Sequence, residues 1–147
     1  MNLKDLQQKY WSAFIKVALI KRKLSSDQYR LIKTAGIDVA ICKDYHLYIS
    51  IDSRKKTLTV KVYIDSNKEY YKLFESKKLE IEGQIGSKLE WRNLEDNKSS
   101  MIMKSVEFDI YNEESWGASI DYLLAEIPKY IDVFKNMSIA SKEICES

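Results

Sequence analysis

The sequence predicts a two-layer α+β fold in the order α-βββ-α-ββ-α, with one mainly antiparallel sheet and helices packed on one of its faces. Three observations predict it. Apolar residues recur at three- and four-residue spacing near the start, the middle and the end of the chain, the mark of amphipathic helices. Between these stretches lie shorter runs in which apolar and polar residues alternate, so each strand should have one buried and one wet face. Four Gly and one Pro in 147 residues leave room only for short connections between regular elements.

Residues 3–21 read as the first helix, with Leu3, Leu6, Tyr10, Phe14, Val17 and Ala18 on one stripe, widened by Trp11 and Ile15. Lys21, Arg22 and Lys23 close it, where cations complement the helix dipole. Residues 24–35 read as a connection with a short turn or helix from Ser25, and Gly36 as a stop. Three strands follow. Val39–Cys42 is short and apolar. Residues 46–52 place Leu47, Ile49 and Ile51 on one face, and 57–64 place Leu58, Val60, Val62 and Ile64 on one face. The turn between the last two is Ser53–Lys56, which makes them an antiparallel hairpin. Their opposite face carries Tyr48, Ser50, Thr59, Lys61 and Tyr63.

Residues 66–86 read as one central helix. Ser66 with Glu69 fits a capping box, and Gly86 a left-handed stop. Lys78 and Glu82 stand four apart, at ion-pair spacing. Residues 88–94 and 100–108 are the remaining strands. Residues 112–136 form the closing helix, opened by Glu113 and Glu114. Pro128 falls inside it and is expected to kink or divide it near Leu124. The whole reads as a single domain over 1–137 with a frayed tail at 138–147.

Composition sets the outer bounds. Hydrophobic residues make up 45% and charged residues 31%, a globular balance. The net charge of +2 hides a gradient. Residues 1–36 hold eight Lys/Arg against two Asp/Glu, and residues 106–147 hold three against nine. Such a gradient serves an anionic partner at the basic end, or compensation between terminal helices that lie side by side. Cys42 and Cys145 have no metal-ligand spacing, and a disulfide between them is the lesser expectation for a chain read as cytoplasmic. Charges at Lys4, Asp5, Lys9 and Lys16 interrupt the first apolar stretch, so no secretory signal is read, and no run is long enough for a membrane span.

The chain also resembles a bacterial and archaeal family known only as domain-of-unknown-function family 4268. The early pair Tyr10-Trp11 followed by Phe14 matches it. So does the central run with Lys78, Ile81, Glu82, Gly86, Leu89 and Trp91, and so does Trp116 at the start of a helix. Lys61-Val62-Tyr63-Ile64-Asp65 matches a strand of the family loosely. Two positions depart: Lys61 stands where the family usually has an acid, and Met101 where it usually has Arg before Ile102. Members often accompany nuclease-like domains, so the resemblance implies a nucleic-acid-associated role in a restriction or defence setting.

No catalytic constellation stands out, and no cofactor or metal site is read. A helix, three strands, a helix and a strand is also the order of a restriction-endonuclease core. That chemistry needs a carboxylate two residues before a Lys, and Thr59 stands there before Lys61. His46 is the one histidine. The preferred reading is a non-catalytic nucleic-acid-binding or accessory module. Its tentative contacts are Lys21, Arg22, Lys23, Arg30, Arg54, Lys55, Lys56 and Lys61, with sheet-face aromatic rings for stacking. The alternatives are a protein-interaction subunit, binding a nuclease or other protein through an apolar patch at Trp11 and Trp116, and a degenerate or active nuclease. Self-association is left open.

Overall fold

The computed structural model describes residues 2–32, 36–95 and 97–140. In chain order the elements are α1 (Leu3–Ile20), β1 (Tyr29–Ile32), β2 (Gly36–Ala40), β3 (Tyr45–Asp52) and β4 (Thr57–Ile64). Then come α2 (Lys68–Ser76), α3 (Lys78–Ile85), β5 (Glu90–Asn93), β6 (Ser100–Glu107), a 3-10 turn (Glu113–Ser115) and α4 (Trp116–Ala140). The strands form one six-stranded sheet in the order β1-β2-β3-β4-β6-β5, with every neighbouring pair antiparallel. This is the α+β class that the alternating runs predict.

Alternation decides which face is covered. Leu47, Ile49, Leu58, Val60, Val62, Ile64 and Ile102 are all buried, and the residues between them on β3 and β4 are only half-buried. Helices close over the buried face through aromatic contacts. Tyr45 meets Tyr70 and Phe74 of α2, and Phe74 meets Phe134 of α4 edge-on at 4.9 Å. Tyr10 of α1 packs on Phe108 and Trp116. Edge-to-face pairs of this kind add about 0.5–1.5 kcal/mol each beyond their area. Most of the ring-rich composition is therefore core.

The charge gradient resolves in the same way. Lys9 of α1 pairs with Glu113 at 2.6 Å, Lys21 with Asp121 of α4 at 3.8 Å, and Lys56 with Asp109 at 3.8 Å. The basic N-terminal part and the acidic C-terminal part thus lie together and compensate. These pairs are exposed and contribute little stability individually.

Four local expectations are corrected. The connection at 24–35 contains β1, which adds a strand, and Gly36 begins β2 rather than stopping a helix. A Cβ on Gly36 would stand 2.3 Å from the Ile49 carbonyl oxygen, so glycine is what lets β2 and β3 approach. The central helix is two helices meeting at Lys77, and its cap is Asn67, whose side chain accepts the Glu69 amide at 3.2 Å. Finally, α4 runs through Pro128 undivided, from Trp116 to Ala140. Buried Leu124, Ile127, Tyr130 and Phe134 hold it on both sides of the proline, so tertiary packing outweighs the lost hydrogen bond.

The packed part also extends past the expected limit at residue 137, since Ser138 is buried and meets the Tyr45 hydroxyl at 3.1 Å. The rest of the expected tail, from 141, lies outside the described residues, as does Cys145. The expectation about a Cys42–Cys145 disulfide therefore falls outside the described residues.

Candidate functional site on the open sheet face

The uncovered face of β3, β4 and β6 is where polar, cationic and aromatic side chains gather. Strand register sets the neighbours: Tyr48 lies opposite Lys61, Lys61 opposite Met103, His46 opposite Tyr63, and Tyr63 opposite Met101. The same period of two that buries Leu47 and Val62 turns these residues outward. Further along the face, Thr59 and Ser105 share a hydrogen bond at 2.7 Å.

Tyr48 is the centre of this surface. The Cβ that Gly36 lacks would lie 3.1 Å from the Tyr48 hydroxyl, so the phenol end rests over the glycine of β2. Burial raises the Tyr48 hydroxyl pKa, with the Asp38 carboxylate as a second cause. The Lys61 ammonium stands 5.9 Å from the centre of the same ring, within cation–π range. Burial lowers the Lys61 pKa, and the Arg92 guanidinium lowers it further. Among the described residues Lys61 has no carboxylate ion-pair partner, whereas Arg92 pairs with Glu90 on β5.

His46 belongs to a line of ionisable side chains that starts on β1 and crosses β2 and β3. Arg30 pairs with Asp38 at 2.9 Å, Asp38 Oδ1 faces His46 Nε2 at 3.3 Å, and His46 Nδ1 faces Asp65 Oδ2 at 3.5 Å. Its ring packs on Tyr63 at 5.5 Å. Both imidazole nitrogens are directed at carboxylates, so neither is placed to take a proton from a substrate. The nuclease pattern fares no better. Thr59, where a metal-binding acid would stand, is bonded to Ser105, and no group of three or more His, Cys, Asp or Glu gathers around a cation site among the described residues.

A depression of about 390 Å³ runs from this face to the β3–β4 turn, lined by Tyr48, Ser50, Asp52, Ser53, Arg54 and Gln7. Asp52 shapes the turn by accepting the Arg54 and Lys55 amides, each at 3.0 Å. Those bonds, led by that from Lys55, hold its carboxyl below the usual range. Lys56 takes a positive φ of 53°, and its carbonyl oxygen accepts the Phe108 amide at 2.9 Å. A larger cavity of about 640 Å³ opens on the other side of this turn, between Lys55, Lys56, Leu58, Phe108, Asn112 and Tyr122.

The basic residues singled out in the sequence therefore divide. Arg54 and Lys61 reach one continuous surface through Tyr48, and Arg30 joins it through Asp38. Lys55 and Lys56 line the larger cavity, and Lys21, Arg22 and Lys23 lie at the far end of α1. The sequence pattern does not single out Arg92, because it does not say that β5 lies beside β6 at the sheet edge. Tyr10, Trp11, Ile81 and Trp116 are core, which removes Trp11 and Trp116 as a surface patch for a partner. Lys78 opens α3, and Gly86 ends it with φ 92°. Glu82 is more than a surface residue: it accepts the Leu89 amide at 2.8 Å and the Trp91 indole N–H at 3.1 Å.

Residues 6–138 match the sequence profile of the family described as "Domain of unknown function (DUF4268)". No curated protein matches the chain. Among solved structures it is similar to YbjN from E. coli, a protein proposed to regulate transcription. The identity is 10% and the TM-score 0.50, over 90% of this chain and 94% of that one. It also has a likeness to a chain of the HopA1-SchA chaperone–effector complex, at 9% identity and a TM-score of 0.41, over 80% of this chain and 92% of the other. The YbjN likeness is one of fold. Among the described residues no helix is long and apolar enough to cross a membrane.

Proposed function

We propose a non-catalytic binding role for this chain, which belongs to the DUF4268 family: the open face of β3, β4 and β6 receives nucleic acid, as an accessory module in a bacterial nuclease or defence setting. The observation that carries the reading is Lys61. It is a half-buried cation beside Arg92, without a carboxylate ion-pair partner among the described residues, on a surface that leads past Tyr48 to Arg54. A phosphate is the group that such a position lacks, and phosphate contacts supply most of non-specific nucleic-acid affinity. The basic residues away from this face have a lesser part in the proposal, since Lys21 and Lys56 already have acidic partners.

The test is a titration of fluorescent oligonucleotides at low and physiological salt, comparing the wild-type chain with Lys61→Glu and Arg54→Glu. Binding that weakens with salt and falls at least about tenfold in each variant supports the reading, as expected for loss of a phosphate contact and gain of a repelling charge. No binding at low salt rejects it.

A protein partner is the second reading, favoured by Leu19 and Ile20. These adjacent apolar side chains are 39% and 72% exposed at the end of α1. Co-purification of a stoichiometric partner that is lost on Ile20→Glu supports it.

A further inference from the structure

The open face has a property that a merely cationic surface does not need, which is aromatic rings laid against the sheet. We infer that the ligand of this face is single-stranded nucleic acid, with one base stacked on Tyr48 and the next on the Tyr63–His46 pair, and with the strand's phosphates held by Lys61, Arg92 and Arg54. The inference rests on the nucleic-acid reading above and narrows it.

Gly36 is the first observation. Without a Cβ beneath it, the Tyr48 phenol end settles onto β2, and the hydroxyl occupies space that any other residue's side chain would contest. Tyr48 stays only half-buried there, so part of its ring is open to a ligand beside the Lys61 ammonium. Tyr63 is the second. It leans on His46, with ring planes inclined by 39° and centroids 5.5 Å apart, and His46 is itself fixed by Asp38 and Asp65 on its two nitrogens. A fixed second ring costs little conformational entropy when a base lands on it.

The placement of the rings comes from register. Tyr48 faces Lys61 across the hairpin, and Tyr63 faces His46, so Tyr48 and Tyr63 are diagonal neighbours on one face. Such neighbours lie roughly 7–8 Å apart, and Lys61 stands beside that diagonal. Met101 and Met103 continue the surface on β6 with polarizable side chains. Bases of a duplex are hidden in its stack and reach such a surface only if unpaired, whereas an open strand presents every base face. The two carboxylates that face His46, Asp38 and Asp65, already have cationic or protonatable partners, Arg30 and His46. That lowers their repulsion toward a phosphate chain.

The experiment uses the full chain and three probes of equal length, about twelve units long: an oligo-dT, an oligo-rU and a random-sequence DNA duplex. Poly-glutamate serves as the anionic control. The variants are Tyr48→Leu, which keeps apolar cover over Gly36 without a π-face, Tyr48→Phe, which restores the ring, and Tyr63→Leu. The expected result is tighter binding of the single strands than of the duplex. Each Leu variant should lose about tenfold in single-strand affinity, and Tyr48→Phe should recover it. Far-ultraviolet circular dichroism, which reports the backbone, should be unchanged throughout.

Preference for oligo-dT or oligo-rU reports the 2′-hydroxyl or the thymine methyl and supports the inference, since both are single strands. Duplex binding as tight as single-strand binding, still lost in Lys61→Glu, overturns this inference while the broader nucleic-acid reading survives. Poly-glutamate bound as tightly as the oligonucleotides, or Leu variants that bind like wild type, also overturn it. Absence of binding to every oligonucleotide removes both.

Discussion

One carboxylate oxygen of Glu82 accepts the indole N–H of Trp91 at 3.1 Å and the Leu89 amide at 2.8 Å, fastening the end of α3 to the start of β5. The Leu89 bond, with help from Trp91, holds the Glu82 carboxyl below the usual carboxylate range. A depressed carboxyl adds stability that is present above its unfolded-state pKa and lost as pH falls through the folded one. Glu82→Gln should therefore lower stability near neutral pH by about 1 kcal/mol, at the small end for a charged hydrogen bond because the group faces solvent. Denaturant melts of both proteins should converge at pH values below the usual carboxylate range. A difference that persists there contradicts the assignment.

Gly36 gives a second prediction. Gly36→Ala places a Cβ 2.3 Å from the Ile49 carbonyl oxygen, which is backbone and must move. The variant should lose roughly 1–3 kcal/mol, the range of an overpacked site, read as a shift of the urea midpoint at constant slope. It should also disturb Tyr48, visible in the near-ultraviolet circular dichroism.

These two sites show what the sequence reveals and what it withholds. The hairpin of β3 and β4 was legible because alternation over 57–64 leaves little choice of face or partner. The same alternation put Tyr48, Lys61 and Tyr63 on the wet side. Gly36 was not legible: a glycine after a polar stretch looks like a stop, and only the close approach of β3 makes it a strand residue. Glu82 at four-residue spacing from Lys78 suggests an ion pair, yet its hydrogen-bond donors come from beyond Gly86. Arg92 could not be joined to Lys61 because β6 lies between β5 and β4 in space but not in sequence.

The buried tyrosines predict alkaline behaviour. Burial pushes the phenols of Tyr10 and Tyr45 up to about 12, against the weaker opposing effect of hydrogen bonds to Ser119 and Ser138. A raised phenol contributes stability below its unfolded pKa, and that stability is lost as pH rises through the folded value. The protein should hold its fold near pH 10 and unfold as pH approaches 12, with tyrosinate absorbance rising in the same transition. Tyrosinate formation by these buried groups well before unfolding contradicts the burial argument.

Tyr45 also ties β3 to α4, meeting the Ser138 hydroxyl at 3.1 Å and the Phe134 carbonyl at 3.3 Å. Tyr45→Phe keeps the ring contacts and removes the hydroxyl, so a loss of about 1 kcal/mol is expected in thermal or urea unfolding. Ser138→Ala should cost less, because the Phe134 carbonyl still accepts. A larger loss for Ser138→Ala than for Tyr45→Phe would reverse this ranking.

The role of the open face turns on whether Lys61 contacts phosphate. The measurement is the salt dependence of oligonucleotide affinity for the wild-type chain and for Lys61→Met, which keeps the side chain's bulk and removes its charge. The wild-type logarithmic plot should fall linearly with salt, and Lys61→Met should lower its slope by about 0.7 for a single strand, the loss of one phosphate contact. Equal affinity and equal slope for the two proteins would contradict the assignment of this face to nucleic acid.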